Sequence, residues 1–457
     1  MGACPRSESA HAPPDRCPTP HARHLRPSLT APPPPHAAPE RQDSRLRRAL
    51  GRTFHALGTR NFRLFFFGQL ISNTGNWLTN VALILFVLQL THSGLAVGLL
   101  SACQFGPMFF LSAWAGAVAD RTDKRRMLLW TQSLEMTQSV VLAVLAFLPH
   151  PPLVALYAVA LGGGVLLAFD NPLRRSFVPE MVAPIDLPNA IVLYSTIVQM
   201  SLIFGPALAG FLAVTVGFGW CFTLDAASYV AVIGALVAMR PAELHRQPPR
   251  PRTGREVREG LRYVASVPDL WIGFAMFAVV SFFLFNLRVM LPLFVTDSLH
   301  STDVVFTVLY ALSSCGAVVG ALLVAHRQLV RLEHAIGGAI LLGAAMLVLS
   351  AMPNVAAAIP AVFVVGMAGV VYGTATNAVA QVDTRRDMHG RVLALQTVIM
   401  GGTALVGGPI LGHLSDVAGG RVPIALGGVG CLLAAALGHM GRRRYAPQPV
   451  ASTTGTP

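Results

Sequence analysis

Residues 62–90 read FRLFFFGQLISNTGNWLTNVALILFVLQL, a stretch in which Arg63 is the only charged side chain. A helix needs about 20 predominantly apolar residues to cross the hydrocarbon core of a bilayer, so this stretch predicts a transmembrane helix. Comparable stretches, separated by short polar breaks, recur along the chain to residue 440. Twelve spans are predicted, at residues 62–90, 95–119, 127–148, 153–170, 189–215, 219–239, 270–296, 304–326, 335–352, 355–377, 391–413 and 422–440.

The composition of the whole chain agrees with this first stretch. Of 457 residues, 53% are hydrophobic and 12% are charged, whereas about a quarter of the residues in soluble proteins are charged. A soluble enzyme of this size would need more polar surface, and a disordered regulator would lack this hydrophobicity. The composition therefore excludes both classes and predicts an all-α membrane protein.

The net charge of +13 raises the question of nucleic-acid binding. With the amino terminus placed in the cytoplasm, 32 of the 34 basic residues fall on the cytoplasmic side of the predicted spans. Arg288 and Arg421 are the two that do not. The distribution of charge thus indicates the orientation of the chain in the membrane, with both termini in the cytoplasm. The expected partners are a small molecule and the lipid bilayer, without nucleic acid, and the chain is expected to be a monomer.

The spans and the polar segments divide the chain into five parts. Residues 1–57, rich in Pro, Arg and His, lack apolar periodicity and predict a disordered cytoplasmic tail. The other parts are two six-helix halves, the basic linker between them and a cytoplasmic tail, at residues 58–239, 269–441, 240–268 and 442–457. Neither the six scattered cysteines nor the tail histidines have the spacing of metal ligands, so no metal or cofactor is expected.

A local match relates the two halves. Gly205-Pro206 in span five recurs as Gly408-Pro409 in span eleven, 203 residues later. Asn171 likewise corresponds to Asn377, and each opens a loop that contains Arg. Because six crossings return the chain to its starting side, the halves are expected to be parallel repeats with a substrate path between them.

Four motifs resemble those of a known family. Residues 116–126 read GAVADRTDKRR, which resembles the cytoplasmic signature of the major facilitator superfamily. With 60–65 (RNFRLF), 170–175 (DNPLRR) and Gly205-Pro206, the chain resembles the branch that contains enterobactin and macrolide exporters. The resemblance covers about residues 58–442 and implies the major facilitator fold, with twelve helices in two parallel six-helix repeats.

The resemblance also implies a gating motif at the cytoplasmic membrane edge. A small residue admits a close neighbouring helix, and the acid that follows it is expected to contact the amino terminus of span eleven and close the cytoplasmic side. An acid at the end of span four would join it in a charge relay. The motif residues are Gly116, Asp120, Arg121, Lys124, Arg125 and Asp170.

Two departures from the family pattern leave the relay open. Asp123 stands where the family has its second Gly, and Lys124 stands where Arg is usual. The bridging cation is therefore either Lys124 or Arg125. Alternatively, these basic residues only set the topology.

The Gly205-Pro206 and Gly408-Pro409 pairs predict helix kinks, because Pro removes an intrahelical hydrogen bond. In the family, the pair in span five marks exporters, but the fuller pattern has Gly four residues earlier, where this chain has Ser201. The kink in span five therefore either serves helix packing or determines the direction of transport.

Polar residues in span one form a stripe. Gln69, Asn73, Asn76 and Asn80 share one helical face, and this face must look into the bundle or a water-filled cavity. Interhelical hydrogen bonding is the alternative to substrate contact. The candidate substrate residues are Asn73, Asn76, Trp77, Asn80, Gln199, Arg288, Tyr372, Asn377 and Gln396.

Three charged residues lie well inside the predicted spans, away from their ends. Glu135 and Asp225 are candidates for proton coupling, because burial favours the neutral form of a carboxyl and lets it bind and release a proton. Since spans three and six are peripheral in this fold, snorkelling or a structural hydrogen bond is the alternative for each. Arg288 can hold an anionic substrate or stabilise a carboxylate.

The predicted function is export of a hydrophobic or amphipathic small molecule, of drug or siderophore type, by proton antiport and alternating access. An importer of the same fold and a non-transporting receptor or sensor are the alternatives. Lys124 is the only lysine and no Walker motif is present, so ATP hydrolysis and other enzyme activity are not expected. One Lys beside 33 Arg indicates a GC-rich bacterial source, and hence the inner membrane.

Overall fold

The computed structural model describes residues 55–245, 256–327, 331–382, 384–385 and 388–445. All regular secondary structure in these ranges is helical, which confirms the predicted fold class. Most of the predicted disordered tail lies outside the described residues. Its last three residues instead begin a one-turn 3-10 helix, His55–Gly58, in which Ala56 is buried.

The first half contains six long helices. A short turn joins each to the next. The helices are α1 (Arg60–Thr91), α2 (Gly94–Arg121), α3 (Lys124–Phe147), α4 (Leu153–Met181), α5 (Leu187–Thr215) and α6 (Phe218–Ala238).

The predicted linker is partly helical, with a 3-10 turn at Pro241–Glu243 and helix α7 (Glu256–Ser266). The seventh span is broken into α8 (Pro268–Leu284), α9 (Leu287–Leu293) and a π-helical turn at Phe294–Ser298. The remaining helices are α10 (Asp303–Arg327), α11 (Leu332–Ala351), α12 (Val355–Val382), α13 (His389–Ala418) and α14 (Arg421–Tyr445). Because α14 continues to Tyr445, the predicted carboxyl-terminal tail begins inside a helix.

Among the described residues, eleven helical spans are long and apolar enough to cross a membrane. The predicted third span, residues 127–148, is not one of them. It forms α3, whose 24 residues reach roughly 36 Å but include polar and charged side chains. Gln132, Glu135 and Ser139 lie on its buried face, and α3 packs against α4 and α6, both of which are apolar enough to span.

The helices pair in the same way in both halves. In the first, α1 packs on α5 and α6, α2 on α4, and α3 on α4 and α6. In the second, α8 packs on α13 and α14, α10 on α12, and α11 on α12 and α14. Two turn conformations recur as well, with positive φ at His92 and His300 and at Gly217 and Gly419. The predicted parallel repeat is thus present in the backbone.

We call the end of the bundle that carries the Arg121–Arg126 loop the basic end, and the opposite end, with the turn at residues 91–94, the distal end. Two large helix contacts join the halves, α2 with α13 and α5 with α10, and α9 also contacts α2. On α2, Gly94 and Gly98 lie against Gly412 and Gly408 of α13, and a Cβ at any of the four would overlap the opposite backbone. Small residues spaced four apart on both helices let the two backbones approach closely.

Candidate functional site

A buried charge cluster lies between α3 and α4 in the first half. Arg174 forms an ion pair with Asp170, one turn earlier on α4, and its Nη2 lies 3.5 Å from Glu135 Oε2 of α3. Gln132 Nε2 donates to Asp170 Oδ1 at 2.8 Å and to Glu135 Oε2 at 3.0 Å. All four side chains are buried, so neither acid snorkels to the membrane surface.

Asp225 of α6 is held by hydroxyl groups. Thr79 and Ser139 donate to its Oδ2 at 2.8 and 2.7 Å, and the side chain is 1% exposed. No basic residue in the described part of the chain forms an ion pair with Asp225. Within the described part of the bundle, this carboxyl therefore has no compensating cation.

A small polar cavity of about 40 Å³ is lined by both Glu135 and Asp225. That volume has room for a few water molecules. The polar side chains of its lining include Asn76, Asn80, Glu135, Gln138, Asp225 and Tyr229. Asn76 Nδ2 donates to Tyr229 Oη at 3.2 Å, and Asn80 Nδ2 donates to Asn76 Oδ1 at 3.0 Å.

The two proton-coupling candidates, predicted on separate peripheral spans, thus line one cavity. Sequence reasoning missed Arg174 as the partner of Glu135, although the four-residue spacing from Asp170 places Asp170 and Arg174 on one face of α4. It also missed the stripe of Gln132, Glu135 and Ser139, whose spacing marks one face of α3.

At the basic end, the loop cations have partners within the first half. Lys124 Nζ lies 2.6 Å from Glu180 Oε1, and both side chains are buried. Arg125 donates to the carbonyls of Leu236 and Val237, at the end of α6, at 2.7 and 3.1 Å. Cations are favourable beside the carboxyl end of a helix. These bonds fasten α3 to α4 and α6.

The predicted relay is only partly described. Asp170 pairs with Arg174, and Lys124 and Arg125 make the other contacts just given. Gly116 is half-buried and Arg121 is exposed. The side chain of Asp120 lies outside the description, so its gating role stays a prediction.

The two Gly-Pro pairs lie at helix contacts. A Cβ at Gly205 would stand 2.5 Å from Trp77 Cβ, and one turn earlier Ser201 Oγ lies 3.3 Å from Thr74 Oγ1. Gly408 lies against Gly98 across the two halves. Gly205 brings α1 against α5, and Gly408 brings α2 against α13.

The other predicted substrate residues do not line the polar cavity. Asn73, Trp77 and Gln199 are half-buried, and Asn377 is exposed. Gln396 is buried, with an Nε2 that has no hydrogen-bond partner among the described residues. Tyr372 is buried inside the second half against Gly338 of α11.

Arg288 alone among these residues makes a described ring contact across the two halves. Its Cζ lies 3.6 Å from the ring centroid of Phe105, near the middle of α2. Its Nε is buried, without a hydrogen-bond partner in the described ranges. Arg288 follows the break in the seventh span, where Asn286 Nδ2 donates to Phe282 O at 2.8 Å and to Thr403 O at 3.0 Å.

At the distal end, Asp416 of α13 receives the amino terminus of α2. Ser93 Oγ and Leu95 N each donate to Asp416 Oδ2 at 2.9 Å, and Gly94 N donates to Oδ1. A carboxylate at a helix amino terminus satisfies unpaired N–H groups and favours the helix dipole. We call Ser93, Gly94, Leu95 and Asp416 the distal contact. Sequence reasoning missed it.

Most of the chain matches one known protein family. The family model described as transmembrane secretion effector (MFS_3) matches residues 52–449. The enterobactin exporter EntS of Escherichia coli O157:H7 is 25% identical over 408 residues, which cover 86% of this chain and 96% of that protein. The staphyloferrin A transporter of Staphylococcus aureus is 32% identical over 149 residues, 32% of this chain and 38% of that protein.

Solved structures share the fold. A bacterial homolog of the human lysosomal transporter Spinster, inward-facing and unoccupied, superposes with a TM-score of 0.66 at 16% identity, over 84% of this chain and 96% of that one. A POT family transporter in complex with a thioalcohol-conjugated peptide superposes with a TM-score of 0.70 at 11% identity. The match covers 85% of this chain and 97% of that one. The chain therefore belongs to the transmembrane secretion effector family of the major facilitator superfamily, and it is a multi-pass membrane transporter rather than an enzyme.

Proposed function

We propose that this transporter exports an amphipathic small molecule of siderophore or drug type across the bacterial inner membrane in exchange for protons. A relative named as an enterobactin exporter aligns over 86% of the chain, and one named as a staphyloferrin A transporter aligns over a shorter part. These names support a siderophore-like substrate and outward transport.

The observation that carries the proton coupling is the buried cluster of the first half. Glu135, Asp170 and Asp225 are three carboxyls, and Arg174 is the one cation with which any of them pairs in the described part of the chain. With all three ionised, two negative charges would lie uncompensated in a bilayer-embedded site, which is costly. The cluster therefore holds a proton in one state of the cycle and releases it in another.

Asp225 is our choice for the group that loses the proton. It has hydroxyl partners and no cation, and it lines the polar cavity together with Glu135. Water in a cavity of that size gives a proton a path between the two carboxyls. Tyr229 and Asn76, which also line the cavity, extend this polar path toward α1.

Access to the substrate would alternate by rocking of the two halves. The distal contact and the close approach of Gly94 and Gly98 to α13 hold the distal end together. We take the basic end as cytoplasmic, because basic residues concentrate on the cytoplasmic side of membrane proteins. The arrangement described is then the state closed toward the outside.

The test uses a bacterial host that makes enterobactin but lacks its own exporter, so that enterobactin in the medium reports export. We expect the chain to restore secretion and a protonophore to suppress it. Asp225→Asn removes the ionisable group and keeps the size of the side chain, so it should abolish energised export. In proteoliposomes, the same variant should still exchange substrate in both directions without a gradient.

Asp186→Asn is the matched control, because that carboxyl lies outside the buried cluster and pairs with the exposed His55. It should export at the wild-type rate. If neither enterobactin nor any compound of a dye and antibiotic panel is extruded, export is the wrong function. If Asp225→Asn still exports at the wild-type rate, the coupling site is wrong even though export stands.

A further inference from the structure

Arg288 occupies a position suited to a substrate. It lies one residue into α9, directly after the break in the seventh span, and it contacts Phe105 of the other half. In transporters built from repeats, substrate sites lie near the membrane midplane, between the repeats and beside broken helices. Phe105 is near the middle of α2, so the contact is at this depth.

The two arginines inside the bundle differ in their partners. Arg174 has two carboxylates, Asp170 and Glu135. Arg288 forms no ion pair with any described residue, and its Nε has no hydrogen bond there. An unpaired cation within a membrane protein is costly to bury, and among the described residues no contact of Arg288 offsets that cost by charge neutralisation.

The contact with Phe105 leaves the in-plane donors of Arg288 without protein partners among the described residues. A guanidinium whose carbon lies 3.6 Å from the ring centroid of Phe105 gains a cation–π interaction through its face. Its N–H groups point outward in its own plane, where they match the two oxygens of a carboxylate. Phe105 and the nearby Tyr310 supply aromatic surface for an apolar body beside that anion.

We propose that Arg288 is the anion-binding residue of the substrate path, and that the exported molecule carries a carboxylate, or an equivalent pair of anionic oxygens, on an aromatic or apolar body. This inference rests on the proposed export function. It narrows the substrate class from amphipathic molecules in general to amphipathic anions.

The test measures binding to the purified full chain in lipid nanodiscs. The probes are dansylglycine, which carries a carboxylate, and dansylglycinamide, its neutral counterpart, and both brighten in an apolar site. We expect the wild type to bind the acid at least about 10-fold more tightly than the amide, because the acid alone can pair with Arg288.

Arg288→Gln should weaken dansylglycine on the order of 30-fold, since one partner of a buried charge pair is lost, and leave the amide unchanged. Unchanged amide binding also shows that the variant is folded. Arg288→Lys should retain part of the preference, because it keeps the charge but loses the planar fork. Arg421→Gln, at an exposed arginine that bonds the Met352 carbonyl, is the control and should match the wild type.

Three results overturn the proposal. They are equal wild-type affinity for both probes, an Arg288→Gln variant that keeps the preference, and no wild-type binding of dansylglycine up to about 1 mM. A purely structural Arg288 would instead lower the unfolding temperature and weaken both probes together. If enterobactin export fails while the preference persists, the proposed function falls and the anion site stands. If enterobactin is exported but the wild type shows no preference for the acid, the anion site falls and the proposed function stands.

Discussion

Arg174 decides the electrostatic balance of the first half. It lies between Asp170 of its own helix and Glu135 of α3, and all three residues are at most 6% exposed. Removing one partner of a buried ionic cluster is far more destabilising than removing the cluster, because it leaves an uncompensated charge. The two acids should therefore depend on Arg174 for their ionised state.

Arg174→Gln should consequently lower the stability of the purified transporter by about 3–5 kcal/mol, seen as a lower unfolding temperature in detergent. Adding Asp170→Asn should recover part of that loss, because one uncompensated carboxylate is removed with it. The loss of stability caused by Arg174→Gln should become smaller as the pH falls, because protonation neutralises Asp170 and Glu135 and a cation is then no longer needed.

Arg175→Gln provides the control for this series. It removes the same charge from the next position on α4, where the side chain is exposed. This variant should unfold at the same temperature as the wild type. A strictly additive double variant would show that Arg174 and Asp170 are not coupled, and the shared-cation interpretation would then be wrong.

At the scale of elements, the α2–α13 pair connects the two halves. The helices are antiparallel, so the carboxyl end of each lies beside the amino end of the other. The distal contact uses this geometry, with Asp416 at the end of α13 bound to the start of α2. The α5–α10 pair, where Gly210 packs on Thr307, has Ala213 at the position 203 residues before Asp416. The carboxylate is thus specific to one of the two pairs.

Asp416→Asn should therefore favour opening of the distal end. Charge-assisted bonds to a helix amino terminus are worth on the order of 1–2 kcal/mol, so the open population should rise several-fold. A cysteine at Thr307, in a variant without the native cysteines, reports this opening through its rate of labelling by a membrane-impermeant maleimide. Asp297→Asn, at an exposed distal carboxylate bonded to its neighbour Thr296, should leave the rate unchanged. Equal labelling in both variants would mean that the distal contact does not control opening.

At the scale of the molecule, hydropathy and the Gly-Pro repeat predicted the helical class and the two halves, because lipid requires every span to satisfy its own backbone. The third span was also predicted, at residues 127–148, but its polar face was not. That face is buried against α4 and α6, which a linear count of apolar residues does not represent. Arg174 and Asp416 escaped notice for a related reason. Both lie just beyond the ends of predicted spans, and the role of each comes from a partner on another helix.

Rigid-body rocking of the halves makes a final prediction about covalent links. Ser93 Oγ and Asp416 Oδ2 lie 2.9 Å apart between the halves, and Thr74 Oγ1 and Ser201 Oγ lie 3.3 Å apart within the first half. Cysteine pairs at these positions, in the variant without native cysteines, form two links of similar length. Oxidation of the Ser93–Asp416 pair should block export and reduction should restore it, because the distal end cannot open while linked. The Thr74–Ser201 link should leave export intact, since both residues move together. Export through a linked distal pair, or a block by both links, would contradict alternation between two rigid halves.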